Sequence, residues 1–278
     1  MFAALKGWIP PNVVGRWSRG SPNIHICGSY EEAARVCHSG YQSNELVNVV
    51  VEKTRVLKQE LERHPPTMDT SALRILMAVA LAGTGSRLQV LDFGGAAGQH
   101  FFVTRRLFSD RVFDWRVVET PAMVGAASSL AEPELSFFES IQEATASWAA
   151  PPDLVFASGV LMYLADPMPA LQELIGANPR ILYITRTGLS TGPKAVHAIQ
   201  YSQLSANGPG PLPPGYVDRV VAYPNTALPM YAFESALEGR NFTILARFEE
   251  EKNIWQAAES TIHQYGYLCQ RLTEKSFV

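Results

Sequence analysis

The run Val90-Leu91-Asp92-Phe93-Gly94-Gly95-Ala96-Ala97-Gly98 decides the fold of this 278-residue chain. The apolar residues from 88 to 93 stop abruptly at a glycine-rich turn, and a helix-like stretch follows from 98 to 108. A short apolar run bounded in this way reads as a buried strand. Glycine allows positive φ and lets another group come close to the backbone. The start of the following helix offers free N–H groups and a partial positive charge. Strand, turn and helix together form the opening of a βαβ unit.

The same alternation continues outward. Residues 115–119, 135–138, 154–158 and 181–185 read as further strands, with helices at 122–130 and 167–175 between them. The last helix starts with Asp166 as cap and Pro167 at its first position, a strong start signal. Strands separated by helices imply a parallel sheet in an α/β fold. Downstream, a helix at 231–238 precedes strands at 242–248 and 264–268, which suit an antiparallel edge. Residues 189–215 are crowded with Gly, Pro, Ser and Asn and read as a long loop covering the site. Upstream, Ser29 and Glu32 form a capping box for a short helix stopped at Gly40-Tyr41. Apolar Leu46, Val49, Val50, Leu57 and Leu61 recur at helical spacing, with Lys53 among the polar residues between them. Pro65-Pro66 ends that helix, and caps at 69–71 begin another that runs to Ala82. The expected division is a helical extension or lid over residues 1–85 and an α/β domain over 86–278.

The turn separates two ligand classes. G-x-G-x-x-G marks dinucleotide sites, but here the turn is G-G-A-A-G, with its second glycine one place early. An acid two residues before the first glycine, Asp92, is instead typical of S-adenosylmethionine sites; it can accept from the turn backbone or from the cofactor's amino group. Gly94, Gly95, Ala96 and Gly98 form the cradle. Glu119, at the end of the second strand, suits bidentate bonding to two ribose hydroxyls. Thr120 and Pro121 would flank the adenine, and Glu139 would meet its amino group. Ser158-Gly159 ends the fourth strand, where small residues leave room for the methionine part and a transferred methyl. Candidate substrate contacts are Tyr163 and Arg186; the catalytic candidates are His197 as a base and Arg186 as an anion holder.

Composition bounds the rest. With 47% hydrophobic and 18% charged residues, the chain has enough apolar material for a core. A net charge of -3 gives no electrostatic footprint for nucleic acid. Cys27, Cys37 and Cys269 are an odd, widely spaced set, unlike a disulfide framework, and suit a reducing cytoplasm. Residues 1–17 lack a long apolar run, against a secretory signal. The most apolar segment, 73–82, is half the roughly 20 residues a membrane helix needs and reads as a buried helix. His25, Cys27, Cys37 and His38 match no common zinc spacing, so no metal is expected. No G-x-S-x-G hydrolase elbow is present.

The segments Asp92-Phe93-Gly94-Gly95, Val117-Val118-Glu119 with Pro121, Ser158-Gly159-Val160-Leu161 with Tyr163-Leu164 and Asp166-Pro167, and Arg186-Thr187 resemble a bacterial family of S-adenosylmethionine-dependent methyltransferases, class I and Rossmann-like. Many of that family's genes accompany surface-polysaccharide genes. The segments Gly28 to Ala33 and Gly40-Tyr41 are similar too. The resemblance implies a seven-stranded methyltransferase sheet with a hairpin-like C-terminal edge, and Asp92, Gly94 and Glu119 as cofactor contacts. It implies methyl transfer to a small acceptor, such as a sugar or nucleotide-sugar hydroxyl. Met162, Thr185 and Ala97 depart from the family pattern, which has glutamine, aspartate and a larger apolar residue there. An NAD-dependent oxidoreductase and a non-catalytic Rossmann-like binding module are the competing readings.

Overall fold

A computed structural model describes residues 23–37, 40, 43–68, 70–83, 85–250 and 254–272. The readings that fall on the first 22 residues, His38, Tyr41 and Asp69 lie outside these. The chain begins with β1 (Ile24–Cys27), α1 (Tyr30–Cys37), α2 (Asn44–Arg63) and α3 (Thr70–Ala82). It continues through β2 (Arg87–Phe93), α4 (Gln99–Leu107), β3 (Val112–Val118), α5 (Pro121–Ala127), β4 (Leu135–Phe138), α6 (Ile141–Thr145), β5 (Leu154–Ser158) and α7 (Pro167–Gly176). Then come β6 (Ile181–Ser190), β7 (Val196–Gln203), β8 (Val220–Pro229), α8 (Met230–Glu238), β9 (Phe242–Glu249), β10 (Trp255–Ala257) and β11 (Ser260–Arg271).

Seven strands lie in the order β4-β3-β2-β5-β6-β11-β9. The first five pair in parallel, and β11 is antiparallel to both β6 and β9. This is the parallel α/β sheet anticipated from the strand–helix alternation, with its antiparallel C-terminal edge. Period-2 alternation sorts each strand onto two buried faces. Val90, Trp115, Val117, Phe156 and Tyr183 face α2, α3, α4 and α5. Leu91, Val155, Ala157, Leu182 and Tyr267 face α6, α7 and α8.

Side-chain caps fix where several helices begin. Ser43, Thr120, Ser140 and Asp166 each accept a backbone N–H in the first turn of α2, α5, α6 and α7. Such a cap is worth about 1 kcal/mol.

Four readings need correction. Residues 189–215 are not one loop: β6 runs to Ser190, and β7 follows from Val196. β7 pairs antiparallel with β1 and β8, forming a second small sheet. β6 joins the two sheets, because Leu189 and Ser190 pair with Leu228 and Pro229 of β8. The segment before residue 86 is not wholly helical either, since Ile24–Cys27 is a strand. The apolar helix α3 buries only one face; Ile75, Ala78 and Val79 are inside, whereas Leu73, Met77 and Leu81 are exposed. Lys53 is not a surface residue but is 2% exposed, its Nζ donating to the carbonyls of Ser205 and Asn207 at 2.8 and 2.7 Å. α2 thereby spans the molecule, packing Leu46 and Val49 against Tyr223 of β8 and Val47, Val51 and Leu61 in the core shared with α4 and α5.

Candidate active site

The glycine turn sits at the carboxyl end of β2, at the centre of the sheet. Gly94 has φ +70, and its N–H donates to the Val118 carbonyl of β3 at 2.9 Å. A Cβ at Gly94 would stand 2.4 Å from the Val160 side chain, and one at Gly95 would stand 2.4 Å from the Asp92 carboxyl carbon. These two glycines therefore make room for the protein's own side chains. Ala96 takes φ +51 without being glycine, and its N–H donates to Glu119 Oε1 at 3.2 Å. Gly98, at φ +83, precedes α4 and provides no side-chain cap, so the first turn of that helix keeps its polar end open.

Asp92 lies beneath this turn with no exposed surface. Its Oδ2 accepts from the Trp115 indole N–H at 3.1 Å and lies 3.4 Å from His100 Nδ1. His100 is wedged edge-on against Phe156, with ring centroids 4.8 Å apart. Sequence reasoning placed the acid at the turn and missed Trp115. The available signal was an indole N–H on an inward position of β3, which needs a buried acceptor. Asp92 Oδ1 is buried and has no hydrogen-bond partner among the described residues.

Glu119 follows β3 and reaches the turn from the neighbouring strand. One oxygen accepts from Ala96 N–H, and the other accepts from Thr120 N–H at 2.8 Å. A carboxylate has about four acceptor sites, so each oxygen retains capacity. Burial raises the Glu119 pKa above the usual carboxylate range; the two backbone N–H groups oppose that rise, and the nearby Asp92 charge adds to it. The Thr120 hydroxyl accepts from Met123 N–H and is engaged as the α5 cap, with Pro121 first in that helix. Glu139 stands exposed, one residue beyond β4.

At the end of β5 the Ser158 hydroxyl is buried and unpartnered among the described residues. Gly159 has φ +64 and donates its N–H to Thr185 O at 2.9 Å. Arg186 occupies φ +55 inside β6, with an exposed side chain whose guanidinium carbon lies 3.3 Å from where a Gly159 Cβ would be. The turn, Glu119, Ser158, Gly159 and Arg186 thus share the edge made by the carboxyl ends of β2, β3 and β5 and, level with them, the middle of β6. Tyr163 packs against Tyr223 at 5.8 Å between centroids, and its hydroxyl donates to Gln200 Oε1 at 3.2 Å. His197 is on the face of β7 turned to α1, beside Tyr30 and 3.3 Å from Thr226 Oγ1.

His25 and Cys27 lie on β1 and Cys37 ends α1. Among the described residues no group of three or more His, Cys, Asp or Glu is placed to hold a metal ion. Burial pushes the Cys27 thiol up to about 11 and the Cys37 and Cys269 thiols to about 12, which makes them poor nucleophiles. Among the described residues no helix is long and apolar enough to cross a membrane.

No family model and no curated protein matches the chain. Among solved structures, it is similar to the magnesium protoporphyrin IX methyltransferase of Synechocystis PCC 6803 with bound SAM, at 13% identity over 97% of this chain and 96% of that one, with a TM-score of 0.42. An amino pentose methyltransferase from Micromonospora echinaspora is similar at 12% identity over 73% of this chain and 90% of its own, with a TM-score of 0.47. A S-adenosylmethionine-dependent methyltransferase from Clostridium acetobutylicum is similar at 10% identity over 74% and 93%, with a TM-score of 0.45. These are distant likenesses of chain path; the sheet order described above stands on its own strand pairings.

Proposed function

We propose that the chain is an S-adenosylmethionine-dependent methyltransferase acting on a small-molecule acceptor. The observation that carries this reading is the convergence of a half-buried acid, Glu119, on a glycine turn between β2 and α4. Two further buried polar atoms without partners among the described residues, Asp92 Oδ1 and Ser158 Oγ, lie on neighbouring strands at the same end of the sheet. An acceptor-rich carboxylate next to open helix N–H groups suits a nucleoside with two hydroxyl donors and a charged tail. S-adenosylmethionine, when bound, supplies a methyl group already activated on a sulfonium. The protein's work is then alignment and exclusion of water. Glu119 would hold the ribose hydroxyls, Thr120 and Pro121 would border the base with Glu139 outside it, and Ser158 and Gly159 would lie beside the methionine part.

His197, half-buried beside Tyr30 and Thr226, is the candidate base where the acceptor must lose a proton. A sugar or nucleotide-sugar hydroxyl is the acceptor class that the family resemblance suggests.

The test is calorimetric binding of S-adenosylhomocysteine. Micromolar binding is expected, weakened at least tenfold by Glu119→Gln. The pH dependence follows from the raised pKa of Glu119. Ribose donors stabilise the carboxylate form, so affinity should fall as pH drops through the raised pKa and level off above it. Glu119→Gln should flatten that dependence. Absence of binding, together with a melting temperature raised by NAD, would transfer the chain to the oxidoreductases. Tight binding without turnover on any sugar or sugar-nucleotide acceptor would favour the non-catalytic module.

A further inference from the structure

Arg186 presents the least explained backbone at this edge. It sits inside a strand, at φ +55, where a bulky residue is an outlier. The cause is a bulge: β6 and β11 pair Thr187 with Tyr265 and Ile184 with Tyr267, so Thr185 and Arg186 together face the single residue Gly266. The bulge is held from below by Glu250. Its Oε1 accepts from the Thr185 hydroxyl and from Arg186 N–H, the latter at 3.4 Å, and its Oε2 accepts from Arg74 at 2.6 Å. A Cβ on Gly266 would overlap the Phe248 ring and come within 2.9 Å of Glu250 Oε1, so the glycine leaves room for both side chains.

Arg74 and Glu250 neutralise one another, so Glu250 does not serve Arg186 as a counter-ion. Among the described residues its guanidinium has no acidic partner and no hydrogen bond. Three of its atoms lie 3.3 to 3.5 Å from the position of the missing Gly159 Cβ, so it rests flat against Gly159, itself at φ +64. A guanidinium lying flat keeps its in-plane N–H edge available, and that edge matches the two oxygens of a carboxylate or phosphate. Strained backbone maintained by a buried network, carrying an unpaired charge, is a pattern found at ligand clamps.

We propose that Arg186 forms an anion subsite and that the acceptor molecule carries a carboxylate or phosphate group bound there. Its assignment to an acceptor rests on the methyltransferase reading; the anion subsite itself rests only on the geometry of β5, β6 and Glu250.

The experiment is a titration of the full chain with sodium phosphate and, separately, sodium acetate, followed through arginine side-chain Nε–H resonances. The Arg186 signal is identified by its loss in Arg186→Asn, a residue that tolerates the left-handed region. A saturable shift in the millimolar range is expected, larger than at any other exposed arginine and absent with sodium chloride at matched ionic strength. Arg186→Lys keeps the charge but loses the fork, and should bind at least fivefold more weakly by chemical-shift titration of backbone amides in residues 158–159. Whichever of phosphate and acetate binds more tightly identifies the anion. An equal shift with chloride, or no preference for Arg186 over other arginines, overturns the subsite. S-adenosylhomocysteine binding is measured alongside. Anion binding without it would leave the subsite standing and remove the methyltransferase reading, and the reverse result would remove the subsite alone.

Discussion

The turn after β2 and the bulge in β6 each hold unusual backbone beside a buried carboxylate, yet they are assembled differently. At the turn, Gly94 and Gly98 take positive φ, and the space left by Gly94 is filled by Val160 and that left by Gly95 by Asp92. Every turn residue lies within one short stretch of sequence. At the bulge a full-sized arginine takes the left-handed conformation, and its support comes from Arg74, Glu250 and Gly266 on three other elements or their ends. The turn is rigid because nothing more fits into it. The bulge is rigid because a partly buried ion pair and a hydroxyl hold it from outside. The two should therefore fail differently.

Gly94→Ala should be the most damaging change. It combines the left-handed penalty of about 1–2 kcal/mol with overpacking against Val160 of about 1–3 kcal/mol. A loss of about 3 kcal/mol in urea denaturation is expected; a loss below about 1 kcal/mol would mean that the turn is not close-packed. Glu250→Ala should come next. It leaves the Arg74 guanidinium, 21% exposed, and the Thr185 hydroxyl without their acceptor, with an expected loss of about 2–3 kcal/mol by the same measurement. Should Glu250→Ala be as mild as a surface substitution, the bulge would be held by strand pairing alone and the contrast with the turn would disappear. Arg186→Asn should change stability least, within about 0.5 kcal/mol, because the side chain is exposed and asparagine accepts the same φ. A larger loss would make Arg186 part of the scaffold.

The contrast also explains what the sequence could disclose. Local signals were sufficient for β2 to β5 and for the helix start at Pro167, because strand period, caps and glycine position are written in neighbouring residues. β8 was hidden by Pro224 and Pro229, which argue against a strand, and β7 by the Gly- and Pro-rich segment around it. β1 is four residues long and finds its partner on β7, far along the chain. The burial of Lys53 broke the helical polar pattern because two carbonyls from residues 205 and 207 satisfy its ammonium group. The bulge at Arg186 follows from the register between β6 and β11, and no single-strand pattern records register.

One strand, β6, pairs on one side with β5 along its first part and with β8 at its last residues, and on the other side with β11 along its whole length. It is the common spine of both sheets. The small sheet is therefore not an ornament that can be dropped or exchanged as a cassette. Deleting β7 and β8 would strip the cover from Leu46 and Val49 on α2 and leave the end of β6 as a raw edge. Any reshaping of the ground around Tyr163 would have to proceed by changing side chains on a retained framework.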